Sequence, residues 1–210
     1  AGGVKLNLLP AGVIENDVAV LAIGAGVVAD PRKFIWEGVP LEKRGYRIFD
    51  RLLIDERTML SDVGHRLLDL AWEDYRVNVL KEEPRGSTGR GITPSYADEV
   101  GQFQICYCMF QGEKKDFVHK FKARLERACA VIKNVCKVSE DKWNEFFDIL
   151  TRAEIRANAE SIKDGTFSES DFDFHRFKGG KPFELNIDAL AEEYWQTGQK
   201  LAKCIGDVRE

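Results

Sequence analysis

The chain has 210 residues, 44% hydrophobic and 31% charged, an ordinary globular composition with enough apolar mass for a core. A formal net charge of -4 argues against a global basic field for nucleic acid or an anionic membrane. No apolar run approaches the roughly 20 residues that span a bilayer, and Ala1-Gly2-Gly3-Val4-Lys5 lacks the order of a signal peptide, so a cytoplasmic protein is expected.

In chain order, short apolar runs come first. Residues 6–9 end at Pro10-Ala11-Gly12, and Val18-Ala19-Val20-Leu21-Ala22-Ile23 ends at Gly24-Ala25-Gly26. Such runs, stopped by glycines, read as buried strands followed by tight turns. Asp30-Pro31 is a start signal for a helix near residues 32–36. Arg51-Leu52-Leu53-Ile54-Asp55 reads as another buried strand. Residues 62–76 read as a helix with Val63, Leu67, Leu70 and Ala71 on one stripe. Residues 84–96 read as a loop.

After that loop the pattern becomes helical. Phe117, Phe121, Leu125, Cys129, Ile132 and Cys136 share one face, with Lys120, Lys122, Arg124 and Arg127 mostly elsewhere. Ser139 opens a second helix carrying Trp143, Phe146, Phe147, Leu150 and Ile155. Residues 165–182, polar and holding Gly179-Gly180, read as a mobile loop. A last helix starts behind Asn186 and buries Leu190, Tyr194, Leu201 and Ile205. The expected organisation is α/β over residues 1–105, with short buried strands, and a mainly helical cap over 106–210.

Cys106, Cys108, Cys129, Cys136 and Cys204 make an odd count, which argues against a disulfide framework. Cys106-Tyr107-Cys108 has no second pair at zinc spacing, so free thiols and no metal are expected. His65, His119 and His175 stand apart from any Ser, Cys or carboxylate pattern of a triad and read as surface or packing residues.

The segment with chemistry is 86–98, Gly-Ser-Thr-Gly-Arg-Gly-Ile-Thr-Pro-Ser-Tyr-Ala-Asp. Three glycines in six residues allow left-handed backbone and close approach to a ligand. Backbone N–H groups with the Ser87 and Thr88 hydroxyls can converge on an anion, and Arg85 and Arg90 add charge. A plain glycine turn joining two elements fits the same residues. No Lys-Ser or Lys-Thr pair follows, so this is not a Walker A loop.

These residues closely resemble the signature loop of adenylosuccinate synthetases, G-T-T-G-R-G-I-G-P-x-Y. Leu8-Leu9-Pro10-Ala11-Gly12 resembles the family's L-I-P-S-G, and Ile23-Gly24-Ala25-Gly26-Val27-Val28 resembles its I-G-N-G-V-V. Residues 51–57 resemble its R-L-L-I-S-D-R, and His65 falls where the family has a histidine. The matches run in order over residues 6–105. The resemblance implies part of a larger parallel-sheet ligase fold and a homodimer. It implies a reaction joining IMP to aspartate with GTP and Mg, through a 6-phosphoryl-IMP intermediate. It carries a nucleotide-phosphate contact onto Thr88, with Ser87, Gly89, Arg90 and Gln102 as further substrate-binding positions.

The family's G-D-E-G-K-G and N-A-G-H runs, which carry its base, GTP loop and acid, do not occur in these residues. This segment is therefore expected to hold no catalytic residue, to bind neither GTP nor Mg alone, and to be inactive alone. Glu99 and Gln102 stand where the family has a lysine and an arginine, removing two positive charges near a phosphate. Two alternatives remain: a divergent synthetase for another purine nucleotide, and a non-catalytic nucleotide-sensing or protein-interaction module.

Overall fold

The computed structural model describes residues 6–209, so residues 1–5 and residue 210 lie outside it. Three short parallel ladders form two small sheets among the described residues. Strand β1 (Leu21–Ile23) and strand β2 (Val28–Ala29) are separated by the Gly24–Val27 turn. Strand β3 (Leu52–Asp55) and strand β4 (Met59–Leu60) break at the matching place, where Thr58 N–H donates to Asp55 O. Leu21 pairs with Leu52 and Ile23 with Ile54, while Val28 pairs with Met59. Burial of Leu21, Ile23, Leu52 and Ile54 is what a β-rich run without polar alternation dictates.

Helix α1 (Pro31–Lys43) starts as the residues demand: Asp30 Oδ1 accepts from Arg32 N–H, and proline takes the first helical position. Helix α2 (Val63–Tyr75) is capped by Asp62, and Val63, Leu67 and Ala71 are buried along it. Helix α3 (Ile92–Val100) overturns the loop expected to reach residue 96. Gly91 takes the cap in left-handed backbone, and Pro94 sits in the first turn, where its missing N–H breaks no helical bond. Helices α4 (Lys114–Ala130), α5 (Glu140–Ala157), α6 (Ala159–Lys163) and α7 (Ile187–Leu201) follow. The Ser139 and Asn186 side chains cap α5 and α7 as expected.

Three further expectations are corrected. Residues 6–9 form no strand; the N–H groups of Asn7, Leu8 and Leu9 donate instead to the Glu37 carboxylate on α1, each at 3.1 Å. Ile205 does not extend the last helix but begins strand β5 (Ile205–Gly206), parallel to β3 with Ile54 opposite Ile205. Residues 165–182 are held rather than loose, because Phe172, Phe174 and Phe177 are each 1% exposed. Aromatic residues in a polar stretch carry enough apolar area to pin it.

One hydrophobic cluster runs through the chain, from Leu21 and Ile54 to Phe117, Leu150 and Tyr194. Phe110 lies against Gly198 of α7, where an added Cβ would meet the ring at 2.1 Å, so only glycine permits that crossing. Arg124, expected mostly off the apolar face of α4, is buried at 5% exposure and paired with Asp62.

Candidate functional site

Gly86, Gly89 and Gly91 all adopt left-handed backbone, with φ of +75, +63 and +75°. Gly91 is also wedged: a Cβ there would come within 2.8 Å of the His65 backbone carbon. The amides, however, do not converge on open space. Gly86 N–H donates to Glu73 Oε2 at 3.0 Å, Gly91 N–H to Asp69 Oδ2 at 3.1 Å, and Gly89 N–H to Ser87 Oγ at 3.1 Å. Two carboxylates of α2 therefore take the amide contacts expected for an anion. Arg66 clamps the loop from below, its Nε donating to Gly89 O at 2.9 Å and its guanidinium pairing with Glu154 of α5 at 2.8 Å. Tyr96 ties α3 to the strand turn by donating its hydroxyl to Gly26 O at 2.8 Å.

The five residues proposed for substrate divide among different places. Ser87 and Thr88 line one cleft of about 400 Å³ with Trp72, Arg76, Arg85 and Thr93. Thr88 is exposed there, so its hydroxyl is free to meet a ligand. Gly89 is buried under the loop and serves its conformation. Arg90 lines a smaller cleft of about 70 Å³ with Asp30, Lys33, Ser61 and Arg66. That cleft lies at the carboxyl ends of β2 and β4, where open parallel sheets collect ligands. Ile92 borders both clefts. Gln102, in left-handed backbone at φ +62°, lines a third cleft of about 330 Å³ against α4.

Buried ion pairs hold these walls. Burial raises the Glu154 carboxyl, but Arg66 and Lys33 outweigh it and hold the group at about 2. Asp62 is likewise raised by burial and pulled below the usual carboxylate range by Arg124 and His65. Asp98 follows the same balance, with hydrogen bonds from His65 and Arg127 overcoming its burial. Asp62 N–H donates to His65 Nδ1 at 3.2 Å, which places the ring proton on Nε2, donated to Asp98 Oδ2 at 2.9 Å. His65 thus has the carboxylate partners that its sequence neighbourhood hides. His175 also meets one, Asp148, at 2.9 Å on the surface. Among the described residues, no group of three or more His, Cys, Asp or Glu comes together as metal ligands would.

Sequence reading missed Asp69, Glu73, Arg66, Glu154 and Ser61. Asp69 and Glu73, four apart on α2, share a helix face, and that spacing was a usable signal. Arg66 and Glu154 are 88 residues apart, so no local pattern joins them. Ser61 is 3% exposed, and its hydroxyl has no partner among the described residues.

A parallel sheet with clefts at its strand ends and a glycine-tight loop under α3 defines a mixed α/β protein of the ligand-cleft type. A family model described as adenylosuccinate synthetase matches residues 2–168, and the chain belongs to that family. An adenylosuccinate synthetase of Caldicellulosiruptor saccharolyticus is 33% identical over 144 residues, 69% of this chain and 32% of its own length. One from Clostridium botulinum is 35% identical over 145 residues, and one from Pseudoalteromonas atlantica is 40% identical over 97. The chain thus spans about a third of the length of the curated relatives it matches over most of its residues. The solved structure of fully ligated adenylosuccinate synthetase from Plasmodium falciparum aligns with TM-score 0.48 at 19% identity, covering 80% of this chain and 38% of that one.

Proposed function

We propose that this chain is a segment of an adenylosuccinate synthetase-like ligase and supplies a wall of the nucleotide site. The whole protein would join an IMP-type purine nucleotide to aspartate with GTP hydrolysis, as a cytoplasmic homodimer. The observation that carries the reading is the exposed Thr88 hydroxyl in a cleft with Arg76 and Arg85, within a loop whose glycine geometry the family motif requires. A hydroxyl and guanidinium groups lining one cleft can bind a phosphate dianion where the Asp69 and Glu73 carboxylates of the same wall stay bonded to the Gly91 and Gly86 amides, and a planar ring there suits a purine. Trp72 supplies that ring.

No step through magnesium or GTP is assigned to these residues. The family's GTP loop run is not in the sequence. What this chain's residues do is bind and orient: Arg66 and Glu154 set the loop, and Thr88 meets the phosphate.

Trp72 makes the test direct. IMP titrated into the chain should change the tryptophan fluorescence with an affinity of about millimolar, a change lost in Trp72→Phe, where Trp36, Trp143 and Trp195 still emit, and Thr88→Ala should abolish the response. Micromolar binding by the chain alone would contradict the idea that it is one wall of a larger site. The chain mixed with IMP, aspartate, GTP and Mg should form no adenylosuccinate; product would overturn its assignment as an inactive segment.

One observation favours the alternative of a non-catalytic module. The Glu73 and Asp69 carboxylates already bond the Gly86 and Gly91 amides, and Glu99 and Gln102 remove nearby charge. If IMP, dGMP and GTP all fail to bind the full-length protein, that module is the correct reading.

A further inference from the structure

The third cleft holds an arrangement that the Thr88 loop does not use. Its walls are Gln102 and Phe103, just past α3, and the face of α4 carrying His119, Lys120, Arg124 and Arg127. Positions 120, 124 and 127 are four and three apart, so they stack on one side of that helix. Arg124 is 5% exposed, and one of its nitrogens, Nη2, pairs with Asp62. Its Nε and Nη1 are buried, and neither has a hydrogen-bond partner among the described residues. Arg127 repeats the pattern: Nη2 pairs with Asp98, its guanidinium lies 4.2 Å from the Phe103 ring centroid, and Nε has no partner. Lys120 makes no ion pair among the described residues.

Buried charged donors without acceptors are costly, and two adjacent guanidinium groups rarely share a wall unless something accepts from both. Asp62 and Asp98 do not complete the set, because each is also bonded by His65 and leaves the Nε positions unsatisfied. Glu99, a further carboxylate near this wall, is exposed on α3. A planar fork with unpaired N–H groups matches the oxygens of a phosphate, and an ammonium at the mouth adds a point charge. Phe103, 55% exposed, offers a flat apolar edge beside it.

We infer that this cleft is a second oxyanion site, which takes a phosphate group through Arg124, Arg127 and Lys120. It is separate from the loop at Thr88. Thr93 near the start of α3 lines that loop's cleft and Gln102 past its end lines this one, with the seven helical residues 94–100 between them, a rise of about 10 Å. The phosphate can come free or as the terminal group of an organic monoester resting on Phe103.

The test follows the Arg124 side chain itself. In the 210-residue chain, the Arg124 Nε–H resonance should shift saturably as inorganic phosphate is added. Lys120→Glu, an exposed change outside the buried pairs, should weaken that binding about tenfold or more. Arg124→Gln disrupts the Asp62 pair and is read only where circular dichroism shows a folded chain. Thr88→Ala should leave the Arg124 response unchanged, which separates this site from the loop proposed for the nucleotide. Tighter binding of a purine nucleoside monophosphate than of phosphate, lost in Phe103→Ala, assigns the monoester. Equal binding of the two assigns the free ion. An unmoved Arg124 resonance, or equal phosphate affinity in Lys120→Glu and the parent chain, overturns the site.

Discussion

His65 and Asp98 are 33 residues apart and meet at 2.9 Å between Nε2 and Oδ2, joining the first turn of α2 to the last turns of α3. The pair lies beneath Gly91, so the loop and the helix it starts are positioned from one buried point. Because His65 Nδ1 is already an acceptor, the ring cannot turn without losing two bonds. Asp98→Ala should therefore cost about 3 kcal/mol or more in urea unfolding, since Arg127 loses its partner as well. A loss below about 1 kcal/mol would mean that α3 is held by something else.

Gly91→Ala combines a left-handed backbone with a Cβ 2.8 Å from the backbone of His65, and we expect a loss of about 2–4 kcal/mol. Gly86 has the same φ of +75° but nothing within 4 Å, so Gly86→Ala should cost only about 1 kcal/mol. Equal midpoints for the two variants in thermal denaturation would contradict this account.

Acid should unfold the chain through its buried carboxylates. Glu154 is held at about 2 against an ordinary value of 4.5, and Asp62 and Asp98 are held below their ordinary 3.8. Groups depressed in the folded state bind more protons when unfolded. Their stabilisation is present in full above the ordinary values and is lost as pH falls through the folded ones. Stability measured in urea should fall between about pH 5 and pH 2, and Glu154→Gln should flatten part of that slope. The same variant leaves Arg66 short of a charge partner and should lose about 3 kcal/mol at pH 7. An unchanged pH slope in Glu154→Gln would remove that residue from the acid response.

The segment 165–182 should resist proteolysis. Phe174 is buried and lies against the guanidinium groups of Arg66 and Arg32, at 4.9 and 5.3 Å from its ring centroid. Phe174→Ala should cost about 3–5 kcal/mol and open this stretch to trypsin at Lys178 and Lys181. Rapid cleavage of the parent chain at those lysines would show that the buried phenylalanines do not pin it.

Cysteine accessibility gives an independent check of the core. Burial pushes the Cys129 thiol up to about 12 and Cys136 up to about 11, whereas Cys108 is exposed. Alkylation of the folded chain near pH 8 should label Cys108 first and leave Cys129 and Cys136 until unfolding. Early labelling of Cys129 would mean that α4 is not packed as described.

The residues themselves determined whatever is settled within a few positions along the chain. Asp30, Asp62, Ser139 and Asn186 mark four helix starts because a cap needs only a side-chain oxygen two or three residues from a free N–H. Glycines at 86, 89 and 91 announced left-handed backbone because only they adopt it without cost. The runs around Leu21 and Leu52 announced buried strands, and the ordered motifs announced the family. Tertiary structure decided what depends on partners far along the chain. Ile205 became a strand because β3 offered an open edge to it. Arg90 and Thr88 went to different clefts because Arg66, held by Glu154, fixes the loop between them. The loop amides found Asp69 and Glu73 before any ligand, and His65 found Asp98. Those pairings are long-range, and a local pattern carries no record of them.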